Sequence, residues 1–314
     1  MMYEERVFVD DKVKLGATVT CPDRDKKNPA VVIIMGTGSL DRDGNARGMH
    51  TDLYRNMAAM FDGFGYATIR YDKRGTRESG KGDGGTGLYD LVDDASSIIQ
   101  YMRSLSFVDE NSVIVCGHSE GAIIATLLSE RESVSGLILI GGAAMSIKDA
   151  LYYQNRLVIE QARDMKGLKG FMLRRMNEEK AIAKVDKLFA KCKNTDKDRI
   201  FISGALMSAK WIREHDERSS EDYAKILRSY NGPILAITGT KDLSADYRFL
   251  DSIRGNLGIE CYVPEGVNHI LREVDDDNSI LDVKKQYVRL CRDPIHSGTS
   301  DTIHNWLESN FGRR

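Results

Sequence analysis

The chain has 314 residues, of which 41% are hydrophobic and 29% are charged, and this supplies enough apolar material for one large domain with an insertion. Lysine and arginine (45) nearly balance aspartate and glutamate (47), so the global charge argues against nucleic acid or an acidic membrane as a partner. The charged N-terminal segment and the lack of an apolar run of about 20 residues predict a cytoplasmic protein without a signal peptide or membrane span.

The first predicted elements form an antiparallel hairpin, because residues 6–20 alternate between apolar and polar side chains around a polar turn. Six short apolar runs follow, mostly β-branched and bounded by Gly, Pro or Asp, which is typical of strands buried on both faces. They span 30–35, 66–71, 112–116, 134–140, 233–238 and 258–263. Predicted helices lie between and after them, at 51–64, 88–105, 120–128 and 300–311. This alternation predicts an α/β fold with a mostly parallel sheet and helices on both faces.

One region interrupts the alternation of strands and helices. From about Met145 to Tyr230 no strand is predicted, and charged helices are predicted over 148–165, 177–192 and 210–227. We therefore predict a core made of residues 1–144 and 231–314, with residues 145–230 inserted as a helical cap. The many charges of the cap are interpreted as a solvated helix surface rather than as a charged ligand site.

The sequence Gly-His-Ser-Glu-Gly at 117–121 has the Gly-x-Ser-x-Gly pattern of a nucleophile elbow. It stands directly between a predicted strand and a predicted helix, where a sharp turn strains the serine backbone and exposes the hydroxyl. The flanking glycines let strand and helix approach without a Cβ clash. Ser119 is therefore the predicted nucleophile. We expect His118 to pack in the interior, because the elbow directs its side chain away from the hydroxyl.

A serine hydroxyl needs a base to take its proton and a carboxylate to orient that base. Asp242 and His269 each follow a predicted strand, at the edge where open α/β sheets gather their ligands. They are the predicted acid and base, with Asp246 as the nearest alternative acid. The other four histidines are predicted to be structural or solvated: His50, His215, His296 and His304.

Acyl transfer also requires hydrogen-bond donors for the oxyanion. One predicted donor is the backbone N–H of Glu120, which follows the nucleophile. The second is the N–H of Thr37, with Gly38 as the alternative, in the glycine-rich loop after the run 30–35. Neither dinucleotide-binding nor P-loop spacing is met there, so no nucleotide or other cofactor is expected. The following acidic loop, 41–45, lacks the glycine and glutamate of an EF-hand and is interpreted as a turn that fixes the oxyanion loop.

The five cysteines of the chain are scattered and include no Cys-x-x-Cys pair. This pattern argues against a disulfide framework and against a zinc site, so we expect reduced thiols and no bound metal. Cys116 precedes the elbow at the end of an apolar run. It is predicted to be a small core residue rather than a nucleophile.

With these motifs the chain resembles the α/β-hydrolase superfamily, and within it bacterial carboxylesterases related to cinnamoyl and feruloyl esterases and to prolyl oligopeptidase-like esterases. The stretch 35–45 is similar to their Gly-Ser-Gly-Pro-x-Asp-Arg-Asp-Gly-Asn loop, and 71–79 to their Asp-x-Arg-Gly-x-Gly-x-Ser turn. The resemblance implies an α/β-hydrolase fold, a triad of Ser119, Asp242 and His269, and an oxyanion donor at Thr37. The chain departs from the pattern at three positions, where it has Met35 for histidine, Leu40 for proline and Arg77 for glycine.

These residues predict a serine esterase that cleaves a small-molecule ester, of short-acyl or hydroxycinnamate type, through an acyl-enzyme. A peptidase or amidase with the same triad is the alternative, and an acidic residue placed in the cap pocket to bind a free amino group would favour it. A non-catalytic ligand receptor is a third alternative, against which a complete triad argues. Homo-oligomerisation is left open. The acyl and alcohol groups of the ester stay unassigned, because spacing along the sequence does not position the pocket walls.

Overall fold

The computed structural model describes residues 3–163, 165–167, 177–202, 204–275 and 278–312. Its main sheet has eight strands: β1 (Tyr3–Val9), β2 (Leu15–Cys21), β3 (Asn28–Ile34), β4 (Ala67–Tyr71), β5 (Val108–His118), β6 (Gly136–Ile140), β9 (Ile234–Ile237) and β10 (Ile259–Tyr262). A separate two-stranded sheet contains β7 (Arg199–Ile202) and β8 (Ala205–Ser208). The order of the main sheet is β1-β2-β4-β3-β5-β6-β9-β10. The β1–β2 and β2–β4 pairs are antiparallel and the others are parallel, which confirms the predicted sheet.

Helices cover both faces of this sheet, so every residue of β4, β6 and β9 is buried. The helices are α1 (Leu53–Gly63), α2 (Leu88–Ser104), α3 (Glu120–Leu128), α4 (Ile147–Ala162), α5 (Glu178–Lys193), α6 (Ala209–His215), α7 (Ser220–Ser229), α8 (Val283–Leu290) and α9 (Ser297–Phe311), with a 3-10 helix at Tyr247–Ser252. No helix in the described ranges has the length and apolarity needed to cross a membrane.

The register of the parallel strands aligns the loops that carry the predicted site. Gly117 of β5 lies opposite Ile34 of β3 on one side and Leu139 of β6 on the other. Leu139 in turn lies opposite Ala236 of β9, which pairs with Cys261 of β10. The carboxyl ends of these strands therefore form one edge of the sheet, and the loops after β3, β5, β9 and β10 emerge side by side.

The segment between β6 and β9 contains the elements that the sequence predicted least well. The prediction of no strand there is wrong, since β7 and β8 form an antiparallel hairpin. Each has only four residues, and Phe201 and Leu206 face solvent instead of a core, so the apolar run typical of a buried strand is missing. The prediction of one continuous helix over 210–227 is also wrong. This segment is divided into α6 and α7, because Ser219 and Asp222 form a capping box that starts a new helix.

The predicted helices 148–165 and 177–192 correspond to α4 and α5, although residue 164 of the first lies outside the described residues. A small apolar cluster, separate from the main core, joins α5 and α6. It is formed by Val185, Phe189, Cys192, Ala209 and Ile212. In contrast, the buried face of α7 belongs to the main core. We keep the division into a core and a cap of residues 145–230 as a proposal.

Candidate active site

Ser119 occupies a sharp turn between β5, which ends at His118, and α3, which begins at Glu120. Its φ of 57° and ψ of −122° lie outside the regions that side-chain-bearing residues prefer, so the turn stores backbone strain. The turn is tight enough that a Cβ on Gly117 would come within 2.1 Å of the Gly121 carbonyl oxygen. The Ser119 N–H donates to the Ile140 carbonyl at 2.8 Å, which ties the turn to β6.

The loops after β9 and β10 bring Asp242 and His269 together. His269 Nδ1 lies 2.8 Å from Asp242 Oδ2, and the other oxygen, Oδ1, accepts hydrogen bonds from the backbone N–H groups of Ser244 and Ala245 at 2.7 and 2.8 Å. A carboxylate with these donors accepts from Nδ1–H, so the neutral imidazole carries its proton on Nδ1 and Nε2 is the free base. Asp246, the alternative acid, instead forms an ion pair with Arg248 at 2.6 Å.

Gly141 leaves the space that the Asp242–His269 pair fills. Its φ is 61°, and a Cβ at this position would lie 2.9 Å from His269 Nδ1 and 3.1 Å from Asp242 Oδ2. A side chain here would displace the imidazole or the carboxylate, and it would also be strained by the positive φ. The sequence predictions did not include this glycine, because a glycine after a strand has many ordinary explanations.

The loop after β3, which carries the predicted second oxyanion donor, lies against the elbow. A Cβ on Gly36 would be 2.9 Å from Ser119 Cβ, so the lack of a side chain allows this approach. Thr37 lines the cavity beside Ser119, whereas Gly38 does not, and this favours Thr37 as the second donor. Neither the Thr37 N–H nor the Glu120 N–H donates to an acceptor among the described residues, so both are available to a ligand.

Ser119 and His269 line one cavity of about 310 Å³. No hydrogen bond joins their side chains in the structure, and such bonds in unliganded enzymes are often long and tighten when substrate binds. The wall is mainly apolar and includes Leu40, Met49, Leu53, Ile147, Leu151, Trp211, Ile270 and Tyr287. Among the described residues, no Asp, Glu, Lys or Arg lines this cavity.

Comparison with known proteins agrees with this architecture. Residues 45–259 match the family described as serine aminopeptidase, S33, which is more than half of the chain. The chain belongs to this hydrolase family. It is 25% identical over 297 residues to esterase EstD of Thermotoga maritima, an alignment that covers 93% of this chain. The chain spans 65% of the length of that relative.

Two solved structures of other proteins share the fold of this S33 family member. Est1E from Butyrivibrio proteoclasticus, solved with ferulic acid bound, has a TM-score of 0.57 at 19% identity, with 90% of this chain and 96% of Est1E covered. The α/β hydrolase GrgF from Penicillium sp. sh18 has a TM-score of 0.61 at 12% identity, with both chains covered completely. The predicted α/β-hydrolase fold is confirmed.

One departure from the resemblance has a visible backbone consequence in this S33 chain. Arg77, which stands where a glycine was expected, has a φ of 47° in the left-handed region, where glycine is favoured. The turn that contains it is fixed to the acidic loop 41–45. Asp72 accepts from the Arg42 backbone N–H at 2.8 Å and from the Arg42 guanidinium at 2.5 Å. These contacts hold the loop 41–45 against the turn after β4, and its role in fixing the oxyanion loop stays a prediction.

A chain of hydrogen bonds, which no sequence motif indicates, links the loop of Gly36 to the loop of His269. His118 is buried, and its Nε2 lies 2.9 Å from the His269 carbonyl, to which it must donate. Its Nδ1 then accepts from Tyr54 Oη at 3.0 Å, and Tyr54 Oη accepts from the Gly36 N–H at 2.8 Å. Burial and the nearby His269 lower the pKa of His118 to about 3, so this imidazole is neutral. The predicted packing role of His118 thus includes specific hydrogen bonds.

A second group of side chains was also unforeseen. His215, interpreted as structural or solvated, is buried and contacts the carboxylate of Glu120, as do Lys73 and Trp211. These contacts join the elbow to the turn after β4 and to α6, and no local sequence pattern signals pairing across such distances. Cys116 is fully buried in the core, and burial raises the pKa of its thiol.

Proposed function

We propose that the protein is a serine esterase in which Ser119, His269 and Asp242 form the catalytic triad. The observation that carries the proposal is the shared cavity: a serine on a strained elbow faces a histidine whose far nitrogen is held by a buried carboxylate. This is the arrangement that nucleophilic acyl transfer requires.

In the proposed first half-reaction, Ser119 Oγ attacks the ester carbonyl carbon while His269 Nε2 takes the hydroxyl proton. Asp242 stabilises the imidazolium and keeps Nδ1 protonated. The carbonyl oxygen becomes an oxyanion, which accepts hydrogen bonds from the N–H groups of Thr37 and Glu120. The tetrahedral intermediate collapses when the C–O bond of the ester breaks, and His269 returns its proton to the departing alcohol.

In the second half-reaction, water attacks the acyl-Ser119 carbonyl and His269 Nε2 takes a proton from that water. The second oxyanion forms in the same place and is stabilised by the same two N–H groups. Collapse of this intermediate releases the carboxylic acid and returns the proton to Ser119 Oγ. The net reaction is ester plus water to acid plus alcohol, with no cofactor required.

The chemistry of the cavity wall supports a neutral ester over a peptide with a free amino terminus. An aminopeptidase must stabilise the α-ammonium of its substrate, and burial of an unpaired charge is costly. Glu120 and Asp242, which contact the cavity residues Trp211 and His269, are both buried in other pairings. A volume of about 310 Å³ is at the lower end of small-molecule sites and suits a short acyl chain or a single aromatic ring.

The proposed cap supplies part of the cavity wall and is hydrogen-bonded to the loop after β9, which carries Asp242. Ile147, Leu151 and Trp211 reach the cavity from α4 and α6. Tyr153 Oη of α4 donates to the Asp242 carbonyl at 2.8 Å, and Gln154 Nε2 donates to the Ser244 carbonyl at 3.1 Å. We therefore propose that α4 and α6 help to determine which acyl groups are accepted.

A substrate panel tests the reaction class. The panel contains p-nitrophenyl esters from acetate to octanoate, methyl ferulate because Est1E was solved with ferulic acid, and aminoacyl p-nitroanilides. We expect the highest kcat/KM on short p-nitrophenyl esters or on the ferulate, and at least 100-fold lower values on the anilides. Anilide cleavage that exceeds ester cleavage would replace the esterase proposal with an aminopeptidase, the activity for which the family is described.

A further inference from the structure

The fully buried carboxylate of Glu120 is the centre of a polar cluster beside the proposed oxyanion hole. Lys73 Nζ lies 2.6 Å from Glu120 Oε2 and donates a second hydrogen bond, of 2.8 Å, to the Gly36 carbonyl. Burial raises the pKa of the Glu120 carboxyl, but the charge of Lys73 and the bonds from His215 and Lys73 outweigh it and hold that pKa below its usual range. Glu120 is thus an anion that holds the lysine ammonium in place.

The other oxygen of the same carboxylate is occupied from the side of α6. Glu120 Oε1 accepts from Trp211 Nε1 and lies 3.1 Å from His215 Nε2. Both carboxylate oxygens are therefore used, and the carboxylate is held in one orientation. This fixes the position of the ammonium that bonds to Oε2, since a charged donor and acceptor form a strong hydrogen bond in a buried site.

The carbonyl that Lys73 binds belongs to the peptide group that carries a proposed oxyanion donor. The Gly36 C=O and the Thr37 N–H are the two ends of one planar trans peptide, so they point in opposite directions. When the carbonyl is held towards Lys73, the N–H is held away from it. A rotation of this peptide would break the charged hydrogen bond and would turn the Thr37 N–H away from its present direction.

The chain on the other side of Gly36 is also fixed. The Gly36 N–H belongs to the preceding peptide and donates to Tyr54 Oη at 2.8 Å. Tyr54 therefore holds the peptide before Gly36, and Lys73 holds the peptide after it. The ammonium also joins the two donor segments, because its anchor, Glu120, is the residue that supplies the other proposed oxyanion N–H. One side chain thus contacts both halves of the hole.

We propose that Lys73 is a positioning residue of the oxyanion hole, which holds the Gly36–Thr37 peptide so that the Thr37 N–H is directed at the oxyanion. The inference rests on the proposed esterase function. A purely structural role explains the cluster less well, because a buried lysine–glutamate pair often stabilises a fold no more than apolar side chains of the same size. Preorganised donors, in contrast, account for a large part of acyl-transfer catalysis.

The variant Lys73→Met tests this inference, because it retains the length of the side chain and removes the ammonium. The expected result is a loss of kcat for p-nitrophenyl butyrate of about 100-fold, as for removal of one oxyanion donor, with KM changed less than threefold. The inhibition constant of a trifluoromethyl ketone, which adds to serine as a tetrahedral oxyanion, should rise by a similar factor. Lys73→Arg retains the charge and should recover part of the lost kcat.

The matched control is Lys12→Met. Lys12 forms an exposed ion pair of 2.9 Å with Asp93, so its loss should change neither kcat nor the inhibition constant. If Lys73→Met does not fold, Glu120→Gln carries the same test, since it retains the size of the anchor and removes its charge. Its kcat should fall in the same direction. A folded Lys73→Met or Glu120→Gln with wild-type kcat and wild-type ketone affinity overturns the inference.

Crystal structures of the wild type and Lys73→Met separate this inference from the esterase proposal. We expect the Gly36–Thr37 peptide of the variant to be rotated or to occupy two orientations, which does not depend on turnover. An unchanged peptide orientation overturns the positioning role even if activity falls. A wild-type protein that cleaves no ester, with a peptide that rotates in the variant, refutes the esterase and supports the positioning of the peptide by Lys73.

Discussion

The loss of stability expected for the variant Tyr54→Phe can be worked out from the contacts of the Tyr54 hydroxyl. This hydroxyl is buried and serves two partners, accepting from the Gly36 N–H at 2.8 Å and lying 3.0 Å from His118 Nδ1. The variant retains the ring and leaves both partners without a bond in the interior. An unpaired buried polar group costs about 1–3 kcal/mol, so we expect the free energy of unfolding to fall by about 3 kcal/mol.

Thermal unfolding measured by scanning calorimetry provides the assay. An unfolding entropy of about 2.1 cal/mol/K per residue converts a loss of 3 kcal/mol into a decrease in Tm of about 5 °C for a chain of this size. The kcat for p-nitrophenyl butyrate should also fall by about tenfold, since the loop that carries Gly36 and Thr37 loses a constraint beside the oxyanion.

Tyr223→Phe is a matched control. Tyr223 is equally buried, but its hydroxyl has no hydrogen-bond partner among the described residues. Removal of an unpaired buried hydroxyl should leave Tm unchanged or raise it, and kcat should not change. The two hydrogen bonds of Tyr54 do not stabilise the fold as expected if Tyr54→Phe leaves Tm unchanged, or if the two variants lose the same amount of stability.

Two further predictions concern the base and its neighbour. Gly141→Ala should lower kcat at least 100-fold, because its Cβ would lie 2.9 Å from His269 Nδ1. The control Gly65→Ala has a φ of 87° and open space around it, so it should lose stability but keep its kcat. Equal losses of kcat in the two variants would contradict this prediction. The pKa of His118 is about 3 in the folded protein against 6.5 as its ordinary value, so the folded state binds fewer protons and stability falls as pH drops below 6.5. The loss should reach about 2 kcal/mol at pH 5. In urea unfolding, the decrease of stability with falling pH should be smaller in His118→Asn and unchanged in a variant of the exposed His50. An unchanged pH dependence in His118→Asn would refute the prediction that His118 is a neutral, buried imidazole.

Much of the fold could be predicted because its signals are local. The strands of the parallel sheet are buried on both faces, so each appears in the sequence as a short apolar run, as at β6. The elbow around Ser119 likewise combines a strand, a glycine-flanked serine and a helix within a few residues. Asp242 and His269 could be chosen because the loops after parallel strands meet at one edge of a sheet.

The missed features depend on contacts that no local pattern records. β7 and β8 are short and exposed, so they lack the apolar run of a core strand. Lys73 and Glu120 are 47 residues apart, and a lysine in a turn or a glutamate after a nucleophile has ordinary surface explanations. Gly141 is likewise recognised only when the imidazole beside it is placed. Such side chains become informative once the backbone has brought them together.

The turnover of p-nitrophenyl butyrate by Ser119→Ala is the decisive measurement of whether Ser119 is the nucleophile, with Ser129→Ala, outside the cavity, as the control. We expect kcat of Ser119→Ala to fall at least about 10⁴-fold, as in other triads that lose their nucleophile, and Ser129→Ala to retain wild-type turnover. A folded Ser119→Ala protein that keeps its kcat within tenfold of the wild type would contradict the assignment of Ser119 and with it the proposed triad.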